Sequence, residues 1–270
     1  MVKVEYNGRF GNNLCQYILG RIIAEELGYK LSVPHSGYMF LQGVDQGLKY
    51  HTPVKRYGGH LLDLQHIIDD PTPRRIIIEG YFQRFEYYKP YRDRIKNWFN
   101  DFVEYSCMVP GKGDLVLHVR GGDLWRNKLP GCQHAPIPLR FYQEIIETTE
   151  CEDIHIVTEN RDDPIVKRLV EMYPKIRVVS QSVLEDFLFI FFAQGTVALS
   201  MSTLAWWASW LSSGVKEVHF PLYGFWHPDS PRQDIEMRVT GDSRYIYHDY
   251  GAFHSWEGRQ DQIEYIMREL

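Results

Sequence analysis

Apolar positions along this chain fall into two alternating rhythms. Short apolar or β-branched runs at 2–6, 31–33, 76–78, 115–119, 154–158, 176–179, 197–200 and 217–220 predict strands. Between them, apolar residues recur three and four apart. Leu14, Tyr17, Ile18, Ile22 and Leu27 predict a first helix, with Gly28 at its C-terminal cap position. Further helical runs cover 87–103, with Pro90 in the first turn, then 139–148, 164–172, 184–194, 203–211 and 258–270. The stretch 35–75 is rich in Gly, His and Pro and reads as loop with one short helix near 61–68. No internal repeat or low-complexity segment interrupts the pattern.

The sequence Val109-Pro-Gly-Lys-Gly113 reads as a linker and divides the chain into domains at 1–110 and 111–270. Strand–helix alternation beyond it predicts βαβ units, hence a parallel sheet with helices on both faces. Ligands of such sheets bind beyond the carboxyl ends of the strands. The segment 187–215 carries no charged residue and is long enough to span a bilayer. Its Gln194-Gly195-Thr196 and Ser200-Met201-Ser202-Thr203 breaks read better as helix, buried strand, helix.

Composition narrows the function classes. With 270 residues, 44% hydrophobic and 24% charged, the chain holds one large or two modest globular domains. A net charge of −5 gives no bulk reason to bind nucleic acid or an anionic membrane, so an anionic ligand must be caught by a local cluster. Four scattered cysteines, Cys15, Cys107, Cys132 and Cys151, form neither a disulfide framework nor a zinc spacing. They read as reduced thiols of a cytoplasmic protein. The start reaches a polar Gly/Asn stretch before any apolar core of a leader forms.

Three segments carry chemistry. Asn7-Gly8-Arg9-Phe10-Gly11-Asn12-Asn13 places two glycines at a strand-to-helix corner, suited to an anion or polar oxygen or, structurally, to a tight turn with an Asn cap. On the 115–119 strand His118 points the same way as Arg120, and Gly121-Gly122-Asp123 follows. The arginine fork suits a diphosphate; the structural alternative is an Arg120–Asp123 turn pair with a satisfied core histidine. Ser202-Thr203 ends a buried strand and starts a helix, which is either a phosphate site or ordinary capping. Upstream, Glu185-Asp186 suits a helix dipole, and Asp186 also suits the paired N–H donors of a guanine edge. The chain has no DxD triplet, GxxxxGK[ST] loop, HExxH or GxSxG.

Together these segments resemble the fucosyltransferases of glycosyltransferase family 11 and, more distantly, the wider fucosyltransferase superfamily. Four anchors run in the family's order: Gly8-Arg-Phe-Gly11-Asn12-Asn13 with Gln16-Tyr17; Gly80-Tyr81-Phe82-Gln83 with Glu86-Tyr87-Tyr88; His118-Val-Arg120-Gly-Gly122-Asp123; and Ser202-Thr203-Leu-Ala-Trp206-Trp207-Ala208-Ser-Trp210-Leu211. The resemblance implies an α/β enzyme of GT-B type, with two Rossmann-like domains facing a cleft, the first on the acceptor side and the second binding the nucleotide sugar. It implies an inverting, metal-independent transfer from GDP-fucose to a glycan hydroxyl, in an α-1,2 linkage, with no cofactor and no metal. By that pattern Arg120 binds the β-phosphate, His118 and Asp186 the guanosine end, Ser202 and Thr203 the phosphates. Asp123 supports Arg120 beside the donor, and Gly11 and Asn12 lie where fucose and acceptor meet, with Arg120 and Asn12 as the catalytic pair.

Two departures stand out. Gly121 occupies the place of the family's second arginine, and Asn13 that of a glutamine. Protein O-fucosyltransferases also carry a single arginine there and share a Gly-Arg-Phe-Gly-Asn start, so a protein acceptor or another GDP-sugar is an alternative reading. Two further alternatives are a phosphate-ester hydrolase using His118 and Arg120, and a nucleotide-sugar-binding protein without catalysis. Glu5, Asp45, Glu79 and Glu86 are candidates for the acceptor's general base, and the sequence does not choose among them.

Overall fold

The computed structural model describes residues 1–34, 53–99, 107–126 and 133–270. The chain divides into two compact units, Met1–Asp101 with Asp234–Met237, and Phe102–Gln233 with Arg238–Leu270.

The first unit is built on a four-stranded parallel sheet. Its strands are β1 (Val2–Val4), β2 (Leu31–Ser32), β3 (Val54–Tyr57) and β4 (Arg75–Ile78), in the order β2-β1-β4-β3. The helix α1 (Phe10–Glu26) buries Leu14, Cys15, Tyr17, Ile18, Leu19, Ile22 and Ile23 against it. A short α2 (Leu64–Asp69) is capped by the Asp63 carboxylate, which accepts from the His66 N–H. The strand β3 was not legible in the sequence because Val54-Lys-Arg-Tyr57 lies on a sheet edge with no buried residue, which leaves no apolar alternation to read. The helix predicted over 87–103 is broken. Two single 3-10 turns, Phe85–Tyr87 and Lys89–Tyr91, precede a six-residue α3 (Arg92–Asn97), and residues 100–106 lie outside those described. The segment 234–237 belongs to this unit through a parallel bridge: Phe85 N donates to Glu236 O (2.7 Å) and Glu236 N to Gln83 O (2.9 Å).

The second unit carries a six-stranded, all-parallel sheet: β5 (Leu115–His118), β6 (Ile154–Val157), β7 (Ile176–Val179), β8 (Thr196–Ala198), β9 (Glu217–Leu222) and β10 (Tyr245–Asp249). Across the sheet the order is β7-β6-β5-β8-β9-β10. Strands added after β5 run outward on one side, and the chain then returns to the other side of β5 at β8. This is the doubly wound order, with its switch point between β5 and β8. The crossovers are helical: α4 (Leu139–Thr148), α5 (Pro164–Met172), α6 (Val183–Phe191) and α7 (Thr203–Leu211). α4 packs on α5 and on the last helix, α8 (Gln260–Met267), while α6 packs on α7. The uncharged 187–215 stretch is thus helix, strand, helix, and among the described residues no helix is long and apolar enough to cross a membrane. α7 is buried nearly all round, as an interior helix must be, with Trp206, Trp207 and Trp210 in mutual ring contact at 4.9–5.6 Å. Cys15, Cys107 and Cys151 form no disulfide; Cys132 lies outside the described residues.

On the outer strands His219 Nδ1 and His248 Nε2 stand 2.8 Å apart. Glu217 Oε1 is 2.8 Å from His219 Nε2 but outside hydrogen-bonding alignment. Burial, and then the neighbouring His248, push His219 down to about 4, and burial lowers His248 as well. Both rings are therefore neutral in the folded protein at neutral pH. In the unfolded chain a histidine titrates near ~6.5, so below that pH the unfolded state binds more protons and stability falls as pH drops toward 4. Denaturant unfolding between pH 7 and 4.5 should show a steeper loss for the wild type than for a His219→Gln/His248→Gln variant. Parallel slopes would place the acid sensitivity elsewhere.

Candidate functional site

The two motifs singled out in the C-terminal half flank the switch point. β5 ends at His118, and the chain continues through Arg120 to Asp123. β8 ends two residues before Ser200, and Ser202 starts α7. His118 Nδ1 and Ser200 Oγ are hydrogen-bonded at 2.7 Å, which closes the gap between the two carboxyl ends. Tyr142 donates its hydroxyl to the His118 carbonyl at 3.1 Å, fixing the backbone beneath the ring. Ser202 is the N-cap residue of α7, yet its side chain makes no capping bond. A nine-residue helix therefore aims its amino end at this corner without a hydroxyl cap, and the partial positive charge of that end favours an anion. Thr203, in its first turn, is buried beside it.

Arg120 is pinned rather than mobile. Its Nε and Nη2 donate to Asp123 Oδ1 and Oδ2 at 3.4 and 2.9 Å. The structure thus contains both contacts of the structural alternative, the turn ion pair and the bonded histidine. Neither consumes the site: Asp123 engages one edge of the guanidinium, and the Nη1 edge has no partner among the described residues. Beside it, Gly121 has a physical cause. A Cβ there would land on the Asp163 carboxylate and crowd the Trp125 indole. Asp163 is fully buried, caps α5 by accepting from Ile165 N and Val166 N, and accepts from Trp125 Nε1 at 2.8 Å. Burial pushes its carboxyl up, and those three donors oppose the shift. The Asp163–Trp125 pair was missed in the sequence; the only signal was a glycine where an arginine was expected.

Glu185 and Asp186 both lie in the first turn of α6, where acids suit the helix dipole, and Ser182 and Glu185 form a reciprocal capping box there. Asp186 sits one residue further on. It is buried, and its Oδ1 accepts only the Gln181 N–H, at 3.1 Å, among the described residues. Burial raises its carboxyl to about 6, against the Gln181 bond and with help from the like charges of Glu185 and Glu159. A buried carboxyl poised near neutrality is a costly feature, which keeps Asp186 a candidate for the site.

The other anchors meet in the first unit. Gly8 has φ of +78°, and a Cβ there would strike Asn12. Gly11 and Asn12 lie in the first turn of α1, and Asn12 Oδ1 accepts from Gln83 Nε2 at 2.9 Å. The expected Asn cap is absent: Arg9 is the N-cap, and its side chain makes no capping bond to the helix. Buried Gln16 instead clamps the loop, accepting from Asn7 N and donating to Asn7 O, both at 3.1 Å. Phe82 adopts φ of +48° while fully buried, a strained backbone held by Tyr88 Oη donating to its carbonyl at 2.7 Å. Of the candidate bases, Glu79 and Glu5 flank Arg56 at 2.8 and 3.7 Å, Glu86 pairs with Arg84 at 2.7 Å, and Asp45 lies outside the described residues. Gly11 and Asn12 thus belong to the first unit, and His118, Arg120, Asp123, Asp186, Ser202 and Thr203 to the second.

One set of side chains has the composition of a metal site: Asp114, Asp153 and His155, at the amino ends of β5 and β6. His155 Nε2 already bonds Asp114 Oδ2 at 2.8 Å, and its Nδ1 is buried without a partner. A metal on Nε2 would strand an Nδ1–H in the interior, the reverse of the usual support for a histidine ligand. The three lie at the opposite end of the sheet from Arg120.

No family model and no curated protein sequence matches the chain. Among solved structures, it is similar to an R284K mutant of FUT1 from Arabidopsis thaliana in complex with GDP, at 11% identity and a TM-score of 0.47, over 80% of this chain and 69% of that one. It is also similar to NodZ α-1,6-fucosyltransferase co-crystallised with GDP, at 12% identity and a TM-score of 0.46, over 80% of this chain and 93% of that one. A NodZ fucosyltransferase structure from Bradyrhizobium gives 11% and 0.46, over 80% and 94%. Likenesses this remote assign neither a family nor an activity.

The packing at Gly121 yields a test. Gly121→Ala should destabilise by about 1–3 kcal/mol through overpacking, and Asp163→Ser in the same chain should recover part of that loss. A melting temperature unchanged by Gly121→Ala would show that the carboxylate is not held where it stands.

Proposed function

We propose that this protein is an inverting, metal-independent glycosyltransferase that moves fucose from GDP-fucose to a hydroxyl of a glycan acceptor, with an α-1,2 linkage as the resemblance implies. The carrying observation is the meeting of Arg120, His118 and the amino end of α7 at the switch point of a doubly wound sheet. The second unit is then the nucleotide-sugar domain and the first the acceptor-side domain, as in a GT-B enzyme.

In this reading the acceptor hydroxyl oxygen attacks the fucose anomeric carbon and gives up its proton to a first-unit carboxylate or to water, while the bond to the diphosphate breaks on the opposite face and its electron pair leaves with GDP. Negative charge grows on the β-phosphate. Arg120, held by Asp123, and the first-turn N–H groups of α7 with Ser202 and Thr203 are fixed donors for that charge, the role a metal plays elsewhere. Asp186 accepts the N1–H and N2–H of guanine through a carboxylate that must be ionised. His118, locked by Ser200, borders the guanosine end. Asn12, tied to Gln83, serves the fucose–acceptor end in the first unit.

A second reading, donor binding without transfer, is favoured by one observation: each described candidate base in the first unit is paired with arginine. Release of fucose or its transfer to any acceptor excludes it.

Turnover or slow hydrolysis of GDP-fucose should persist in EDTA. Arg120→Ala should lower kcat by about 10²–10³ and Arg120→Lys should recover little, because an ammonium cannot grip two diphosphate oxygens. Activity per folded molecule left intact in Arg120→Ala would reduce the residue to its ion pair with Asp123.

Because Asp186 must be ionised to accept, GDP affinity should rise with pH through about 6 and level off above it. Asp186→Asn should flatten that profile and weaken GDP at pH 7.5 about tenfold or more. Inosine diphosphate, which lacks the 2-amino donor, should lose less. Calorimetric titration of both nucleotides decides; equal losses for both would refute the assignment.

A further inference from the structure

Glu159 lies two residues past the end of β6, the strand next to β5 on the side away from the switch. In a doubly wound sheet a nucleotide binds beyond the carboxyl ends of the strands at the switch point, and in the dinucleotide-binding form of that sheet an acid further along the βαβ unit binds ribose hydroxyls. Three observations put Glu159 in that relation to this chain's own groups. Its Oε1 stands 3.4 Å from where a Cβ on Gly122 would be, so it borders the loop that carries Arg120. Its charge reaches Asp186, whose carboxyl it helps to raise. The turn that carries it is fixed, with Asn160 N donating to Thr158 Oγ1 at 3.2 Å and Thr158 N to Val179 O at 3.0 Å. Glu159 is exposed, unlike its neighbours Thr158 and Asp186.

A nucleoside diphosphate has its ribose between its phosphates and its base. Glu159 borders the loop that carries Arg120 and is near enough to Asp186 for its charge to act there. We propose that Glu159 binds the ribose of the nucleotide donor, its carboxylate accepting hydrogen bonds from the vicinal 2′- and 3′-hydroxyls. This rests on the reading of the site as one for a GDP-sugar and adds a residue that sets its preference for a ribonucleotide. A carboxylate suits a vicinal diol because its two oxygens accept two O–H donors side by side, and such charge-assisted bonds are stronger than neutral ones. Sequence gave no cue, since an exposed Glu in Thr158-Glu-Asn-Arg161 resembles any solvated turn.

The test is calorimetric titration of GDP and 2′,3′-dideoxy-GDP into wild type, Glu159→Gln and Glu159→Ala. Wild type should bind GDP about 10–100-fold tighter than the dideoxy analogue. Both variants should bring GDP down toward the dideoxy value and leave the dideoxy Kd unchanged, while Arg120→Ala should weaken both nucleotides alike. A wild type that does not separate the two nucleotides, or a variant that weakens both equally, would overturn the ribose assignment while leaving the donor site in place. Failure of wild type to bind GDP at all would overturn both, and is distinguished by that blank titration.

Discussion

The hydrogen bond between His118 Nδ1 and Ser200 Oγ joins two strands that meet only because the sheet reverses its winding there. β5 and β8 are far apart in sequence, and each ends in a loop with its own chemistry: Arg120 to Asp123 on one, Ser202 and Thr203 at the head of α7 on the other. Closing the gap between them brings a guanidinium and a helix amino end to one corner. Without that reversal the two motifs would belong to different edges, and the corner proposed for a diphosphate would not form. The rest of the second unit supports the arrangement: three tryptophans in mutual ring contact seat α7, Tyr142 holds the His118 backbone, and Asp163 caps α5 under Gly121.

The site is built with little net charge. Arg120 is countered by Asp123, and Gly121 yields its space to the Asp163 carboxylate instead of supplying a second cation. Binding an anion here therefore depends on geometry more than on bulk potential: a guanidinium edge already oriented, and backbone N–H groups already in place. The net charge of −5 for the chain agrees with this economy. The two buried carboxyls pushed upward, Asp163 and Asp186, have different surroundings. Asp163 is engaged by three donors and holds structure, whereas among the described residues Asp186 accepts only from Gln181 N, which suits the guanine contact proposed for it.

Much of the second unit was legible in the sequence because its inner strands are buried on both faces, α4 and α5 keep one apolar stripe, and α7 is apolar nearly all round. The bounds 139–148, 164–172 and 203–211 match α4, α5 and α7 residue for residue. β3 and β10 were missed because an edge strand with mostly exposed side chains leaves no periodicity. The broken helix after Tyr87 was misread since Pro90 stands in the second of two short 3-10 turns rather than the first turn of one long helix. In the site, the residue types that chemistry requires were visible, Arg120, His118, Ser202 and Asp186. Their supports were not: Ser200, Asp163 and Trp125 act through contacts with residues far off in the chain.

The central claim is that one corner of this sheet, between the carboxyl ends of β5 and β8, holds the diphosphate of a nucleotide. A crystal structure of the protein with GDP tests it directly. The account places phosphate oxygens within hydrogen-bond distance of the Arg120 guanidinium and of the first-turn N–H groups of α7, with the base toward Asp186. GDP seated instead at the amino ends of the strands, near Asp114 and His155, or with Arg120 still turned wholly to Asp123 and no phosphate at α7, would contradict it.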